Sequence, residues 1–359
     1  MNGRRVYLDY NATAPLRPEA KEAMLAAMDA VGNASSVHAE GRRARALIER
    51  SRRTIADRLG VAADRVVFTG GGTEANHLAL LGFAGPRIVS AIEHSSVLET
   101  DAAATRILAS HAGVVELASL QNAIELNEPK LVSLMLANNE TGVIQPVAEA
   151  AELAHRAEAL LHCDAIQAFG RIEVEPARLG ADLLTISGHK LGGPQGVGAL
   201  VLREGLEPEA LLRGGGQEGR RRAGTENVPA IAGFAAAVEA TTDWDAVRRL
   251  RDRIENRLPW VTRVVGSDAL RLPNTSCILT GGLKAETAVI GLDLDGIAVS
   301  SGAACSSGKV ARSHVLLAMG YGGGSDAAIR VSLGWGSTAE DVEAFLAAYT
   351  RIVKNAGLL

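Results

Sequence analysis

From about residue 55 to 205, short apolar runs alternate with longer segments whose apolar residues recur every three or four positions. That alternation predicts βαβ units and a parallel sheet covered on both faces. Strands are expected at residues 66–70, 87–92, 130–137, 159–165, 182–188 and 198–203, with amphipathic helices at 74–84, 95–110 and 146–158. A Gly- and Arg-rich run at 214–227 breaks the rhythm, and an Ala-rich helix over 228–258 leads out of it. Beyond lie strand-like stretches at 263–266, 274–280 and 328–334, mixed with helices near 284–292, 313–319 and 338–354. The expected architecture is α/β: a large domain over 16–244 with a mostly parallel sheet, and a smaller α+β domain from 1–15 and 245–359. No internal repeat or low-complexity linker interrupts it.

Composition narrows the function classes. A chain of 359 residues, 47% apolar, can bury a cofactor cleft. No run approaches the 18 apolar residues of a membrane span, and no apolar stretch follows the first basic residues, so a cytoplasmic protein without membrane contact is expected. The net charge of −4, with basic residues spread along the chain, gives no footprint for nucleic acid. Cys163, Cys277 and Cys305 lie too far apart for a disulfide framework or a paired-cysteine zinc site, so no metal is expected and any functional cysteine acts alone. Lys21, Lys130, Lys190, Lys284, Lys309 and Lys354 are the only lysines.

Ligands of open parallel sheets bind outside the carboxyl ends of the strands, so polar residues there are the candidates. After 66–70 comes a glycine turn with Gly72 and Thr73 before a helix, where backbone N–H groups and a hydroxyl suit a phosphate; a plain capped helix start is the other reading. The strand at 159–165 runs into Asp164, with Gln167 three residues on. Such a carboxylate is either a helix N-cap or the partner of a buried cation, and one that fits is the protonated ring nitrogen of a pyridoxal cofactor. The next strand delivers Ser187, His189 and Lys190 to the same edge, and a lysine so placed suits Schiff-base chemistry. His94 is either a cap or a ring that stacks on a cofactor and moves protons; Asn139 ends another strand. In the second domain Cys305 lies in a Ser/Gly-rich run near Lys309 and Arg312, which favours thiolate character, although lone cysteines are often inert. Cys163 and Cys277 fall inside apolar strands as small hydrophobes. Arg330 interrupts an apolar strand, fit for a carboxylate or for a structural ion pair.

In order along the chain, VYLDYNATAPL, GNASSVH, VVFTGGGTEAN, EHSSVLET, NNETGVIQP, HCDAIQAFG, SGHKLGGPQGVGAL, GGGQEGRRRAGTEN, SSGAACSSG and IRVSLG resemble the cysteine desulfurases, fold-type I pyridoxal-phosphate enzymes of the class V aminotransferase group. The resemblance implies that Lys190 carries pyridoxal 5'-phosphate and moves the substrate α-proton. It places Asp164 on the pyridine nitrogen, Gln167 on the ring oxygen and His94 over the ring. Thr73, Ser187 and His189, beside Gly72, would bind the phosphate, joined by Thr225 from the neighbouring subunit of a homodimer. Arg330 and Asn139 would hold the carboxylate of L-cysteine. Cys305 would take the sulfur as a persulfide, release alanine and pass the sulfur to a protein acceptor or iron-sulfur scaffold, for cluster assembly or thiolation. The eight residues between Cys305 and His314 match the branch with a long cysteine loop. A selenocysteine lyase or another class V lyase or aminotransferase shares Lys190, Asp164 and His94; an idle scaffold relative would lack the chemistry. Three departures stand out: Gly72 replaces a common Ala, residues 117–130 are short and lack a small helix of many relatives, and the run after the last helix is short, which leaves the acceptor open.

Overall fold

The computed structural model describes residues 4–302, 312–322 and 326–359; Cys305 and Lys309 lie outside them. A seven-stranded sheet forms the centre. Its order across the sheet is Val66–Thr69, Gly198–Leu202, Leu183–Ser187, Leu160–Asp164, Leu131–Ser133, Arg87–Ser90 and Thr105–Ile107. Only Gly198–Leu202 runs against its neighbours; the other pairings are parallel. The strands are almost wholly buried, as a sheet covered on both faces requires. The α/β expectation therefore holds, and every strand expected between 66 and 203 is present.

Three helical expectations need correction. Residues 95–110 form only a short helix, Ser95–Leu98, followed by the edge strand Thr105–Ile107. Asp101 accepts the Ala103 N–H at 2.9 Å, a local turn that competes with helix and frees Thr105 and Ile107 to pair. The segment 228–258 is two helices, Val228–Glu239 and Trp244–Glu255. Thr241 and Thr242 are poor helix formers, and Asp243 caps the second helix by accepting the Ala246 N–H at 2.8 Å. The short stretch after residue 116 does hold an 11-residue helix, Leu117–Asn127.

A second, four-stranded antiparallel sheet is ordered Ser300–Ser301, Ala328–Ser332, Thr275–Leu279, Arg263–Val264. Its core joins Val6 and Leu8 from the N-terminus to Ile278, Ile329, Val331, Phe345 and Tyr349. Val265, Leu272, Val315, Leu316 and Met319 pack instead into the core of the large sheet. The N-terminal segment crosses between the sheets: Tyr10 N–H donates to the Ser332 carbonyl and Ala14 N–H to the His189 carbonyl. Cys163 and Cys277 are fully buried strand residues, and burial pushes both thiols up, so neither is a nucleophile. No helix of the described residues is long and apolar enough to cross a membrane.

His162 lies inside the large sheet, 2.8 Å from Ser133 Oγ and 3.1 Å from Thr185 Oγ1, and burial pushes its pKa down to about 3. The unfolded chain protonates this ring near 6.5, whereas the folded chain resists until about 3. Between those values the unfolded state binds one more proton, so this group's contribution to stability rises with pH and is lost by about 1.4 kcal/mol for each unit the pH is lowered. In denaturant unfolding from pH 7 to pH 4, His162→Gln is expected to show a shallower loss than the parent chain. Parallel slopes would refute the assignment.

Candidate functional site

Ten of the twelve candidates line one cleft of about 330 Å³ at the carboxyl ends of the parallel strands: Gly72, Thr73, His94, Asn139, Asp164, Gln167, Ser187, His189, Lys190 and Arg330. Thr225 does not reach it. That residue is exposed and borders a separate hollow with Gly70, Gly196 and Arg222. Cys305 lies outside the described residues.

The glycine turn forms one end. Strand Val66–Thr69 gives way to helix Gly72–Leu81, whose N-cap Gly71 has φ 153° and no capping side chain. The capped-start reading therefore fails, and Gly72 and Thr73, the first residues of the helix, line the cleft without a capping side chain, an arrangement that suits an anion. Gly198 lets the turn lie this low on the sheet, since a Cβ there would stand 2.7 Å from the Gly71 carbonyl carbon. Ser187 Oγ, buried at the end of its strand, has no hydrogen-bond partner. His189 Nδ1 lies 3.2 Å from Thr13 Oγ1, and burial, then the charges of Lys190 and Arg171, push its pKa down to about 4. It is thus a neutral imidazole at pH 7.

Gly72 packs closely against Ile166. A Cβ at this position would meet Ile166 Cδ1 at 2.3 Å, so the Ile166 side chain occupies the space a larger residue would need.

Lys190 sits on the 3-10 turn Gly188–Lys190 that follows strand Leu183–Ser187. Its Nζ donates to the carbonyls of Asn11 and Ala12, both at 2.7 Å. Asp164 ends the neighbouring strand; its Oδ1 accepts the Ile166 N–H and its Oδ2 the Asn76 amide, each at 2.9 Å. The first contact is an Asx turn and no helix follows, which removes the N-cap reading. Burial pushes this carboxyl up, opposed by the Asn76 and Ile166 hydrogen bonds and by His94 and Lys190. An added cation at its edge would favour the ionised form.

His94 does cap the short helix Ser95–Leu98: Nδ1 accepts the Ser96 N–H at 3.1 Å and lies 2.8 Å from Ser96 Oγ. Because a backbone N–H only donates, Nδ1 is the acceptor and the neutral ring carries its proton on Nε2. Burial lowers the His94 pKa, against the opposing charge of Asp164 and with the help of Lys190. The ring also lines the cleft, so capping and ligand contact are compatible.

On the far wall Arg330 is 2% exposed, donating to Asp9 Oδ1 at 2.9 Å and to the Asn139 carbonyl at 3.1 Å. It is therefore ion-paired, yet its Nε and the Asn139 Oδ1 both lack partners. Gln167 Oε1 accepts from Arg171 at 2.5 Å, and its amide donates to the Asn11 carbonyl at 3.0 Å.

Three residues escaped the strand-end argument. Asn11 ties the site together: its side chain contacts Asn139, Thr275, Arg171 and Asn274. Arg171 backs Gln167 and Lys190 from a buried turn. Ser96 joins His94 to Asn76. Asn11 lies in a polar run before the first helix, and its crowding with Asp9 and Thr13 was the available signal.

The packing of Gly72 against Ile166 generates a test. Gly72→Ala should cost about 1 kcal/mol, the low end for overpacking because the new methyl meets the movable tip of half-buried Ile166, and adding Ile166→Val should recover most of it in a double-mutant cycle of unfolding free energies. Strict additivity would show that the two side chains do not share this space.

Comparisons with known proteins agree with this geometry. The aminotransferase class-V family model matches residues 6–345. A cysteine desulfurase of Cereibacter sphaeroides is 42% identical, with 97% of this chain and 96% of the relative covered. The X-ray structure of a NifS-like protein from Rickettsia africae superposes with a TM-score of 0.92 at 38% identity, over 98% of this chain and all of that one. A structure titled SspA in complex with cysteine gives 0.82 at 29% identity, covering 93% of this chain and 100% of its own. The chain belongs to the class-V aminotransferase family, among its pyridoxal-phosphate-dependent cysteine desulfurases.

Proposed function

We propose that this protein converts L-cysteine to L-alanine, with pyridoxal 5'-phosphate held at Lys190 and the sulfur taken by Cys305. The observation that carries the reading is a set of three buried polar atoms without partners, Ser187 Oγ, Asn139 Oδ1 and Arg330 Nε, that belong to residues around one cleft. Buried polar groups are rarely left unpaired: Ser187 Oγ and Arg330 Nε can donate to the oxygens of a phosphate and a carboxylate, and Asn139 Oδ1 can accept from an N–H or O–H of the same ligand. The cofactor passes the same test. The uncapped helix start with Ser187 and Thr73 suits its phosphate, Asp164 its ring nitrogen, and Lys190 its aldehyde.

When bound, pyridoxal phosphate supplies an electron sink for the bonds at the substrate's α-carbon. The chain's own residues do the rest. Asp164, its Oδ2 fixed by Asn76, would hold the ring nitrogen, His94 would contact the ring with its proton on Nε2, and Gln167 would offer its amide to the ring oxygen. Arg330, braced by Asp9, receives the substrate carboxylate with Asn139. Lys190 Nζ takes the α-proton and returns protons to the product carbon. The Cys305 thiolate attacks the substrate sulfur: the carbon–sulfur bond breaks, a sulfur–sulfur bond forms, and the products are alanine and an enzyme persulfide. The run of small and polar residues around Cys305 supports onward transfer to a protein acceptor, for iron-sulfur cluster assembly or thiolation. Thr225, exposed and turned away from its own cleft, supports a homodimer in which it serves the neighbouring subunit's phosphate site. The absence of a membrane-length helix among the described residues fits a cytoplasmic setting.

Incubated with L-cysteine and a reductant, the protein should release alanine and sulfide in equal amounts, and Cys305→Ser should abolish both while the visible cofactor absorbance persists. Sulfide release that survives the substitution would contradict the role of Cys305. Alanine formed from selenocysteine but not from cysteine would place the chain with the selenocysteine lyases, and a colourless protein after addition of pyridoxal phosphate would mark an idle relative. Arg330→Lys keeps the charge beside Asp9 but loses the planar fork; kcat/KM should fall roughly 30-fold, equivalent to about 2 kcal/mol. An unchanged kcat/KM would remove Arg330 from carboxylate capture.

A further inference from the structure

Asn76 lies on helix Gly72–Leu81, fully buried, and it does not line the cleft. Its side-chain nitrogen donates twice, to Asp164 Oδ2 and to Ser96 Oγ, each at 2.9 Å. Ser96 Oγ in turn lies 2.8 Å from His94 Nδ1. One amide thus connects the acid of the cleft to its imidazole through a single hydroxyl. The directions are fixed by chemistry. With Nδ1 already an acceptor for the Ser96 N–H, and Ser96 Oγ receiving the Asn76 amide, the serine hydrogen is available to Nδ1. The opposite amide orientation would aim its oxygen at a carboxylate oxygen. Asn76 Oδ1 is the atom left without a partner, which is the less costly choice when a charged group takes the N–H.

We propose that Asn76 is a positioning residue for both groups that flank the cofactor ring: it holds Asp164 ready for the ring nitrogen and, through the Ser96 hydroxyl, holds His94 neutral with its proton on Nε2. This rests on the reading of the cleft as a pyridoxal-phosphate site. The sense of each effect follows. A donor to Asp164 offsets part of the burial that disfavours its charge, so losing the donor makes the carboxyl harder to ionise. A hydroxyl donating to Nδ1 stabilises the neutral ring, so losing it makes His94 easier to protonate. Other titratable groups act on the pair: Glu93, Cys163 and Lys190 beside Asp164, and Lys190, His314 and Glu99 beside His94. None of these changes in Asn76→Leu or Ser96→Ala, so their differences report on Asn76 and Ser96, whereas Asn76→Asp adds one carboxylate beside the pair.

The test uses the full chain and two readouts that packing alone does not move. First, the apoprotein is titrated with pyridoxal 5'-phosphate and the visible absorbance of the loaded protein is followed with pH. Asn76→Leu should raise the dissociation constant about tenfold or more, the loss of one charge-assisted hydrogen bond, and should shift the absorbance–pH curve. Second, nitrogen NMR of histidine-labelled apoprotein follows protonation of His94. Ser96→Ala should raise its midpoint by removing the hydroxyl from Nδ1, and Asn76→Asp should raise it further, because the new carboxylate both draws the serine hydroxyl away and adds a negative charge near the ring. Leu80→Ala, a buried change on the same helix, should lower the melting temperature and leave both readouts in place. An Asn76→Leu protein with the parent's affinity and pH curve would overturn the link to Asp164, and an unmoved His94 midpoint in Ser96→Ala and Asn76→Asp would overturn the link to His94. Should Asn76→Leu not fold, Asn76→Asp and Ser96→Ala decide. A parent chain that takes up no pyridoxal phosphate would defeat the proposed function, while the NMR arm still judges the hydrogen-bond relay.

Discussion

The cleft depends on the crossing of the N-terminal segment to the carboxyl edge of the large sheet, where the Asn11 and Ala12 carbonyls accept from Lys190 Nζ. Polar groups at buried strand ends are tolerable only when they are met by partners. The residues that meet them come from the far end of the sequence, carried across the sheet by the N-terminal segment. The Asn11 side chain then reaches Thr275 and Asn274 of the second sheet, while its N–H meets Ser332 Oγ. Lysine, N-terminal crossing and small sheet are thus parts of one polar junction. Such networks specify structure when every member is satisfied, and they are costly when one is missing.

The charges around this junction divide the labour of the site. His94 and His189 are held neutral by burial and by the nearby lysine, so they can donate or accept hydrogen bonds without adding positive charge. Asp164 is the acid of the group, disfavoured as an anion by burial and sustained by hydrogen bonds, which leaves it with a strong preference for a cationic partner. Arg330 is neutralised by Asp9 yet keeps an unused Nε. Groups with displaced pKa values, gathered at strand ends, are the usual mark of chemistry rather than of packing.

Much of this was readable in the residues because a parallel sheet converts sequence position into spatial position. Asp164, Ser187 and Lys190 each follow an apolar run, and parallel strands bring such ends to one edge whatever lies between them. Apolar periodicity also located the strands between 66 and 203. What local pattern did not convey was competition and distance. Residues 95–110 have helical spacing, but a single Asx turn at Asp101 and two β-branched residues redirect them into an edge strand. The Ala-rich run after 228 reads as one helix until Asp243 is seen to cap a second. Asn11, Asn76 and Ser96 are ordinary polar residues in their own segments, and their importance comes from contacts made across 20 or more positions of the chain. The glycine at 72 makes sense only beside Ile166, which the sequence places 94 residues away and the fold sets against it.

The central claim is that a single amine, Lys190 Nζ, bears the cofactor. Its most direct test is borohydride reduction of the protein loaded with pyridoxal phosphate, followed by digestion and mass mapping of the pyridoxyl group. The account predicts the label on Lys190 and its loss in Lys190→Ala. A label on another of the six lysines, or none on any, would contradict it.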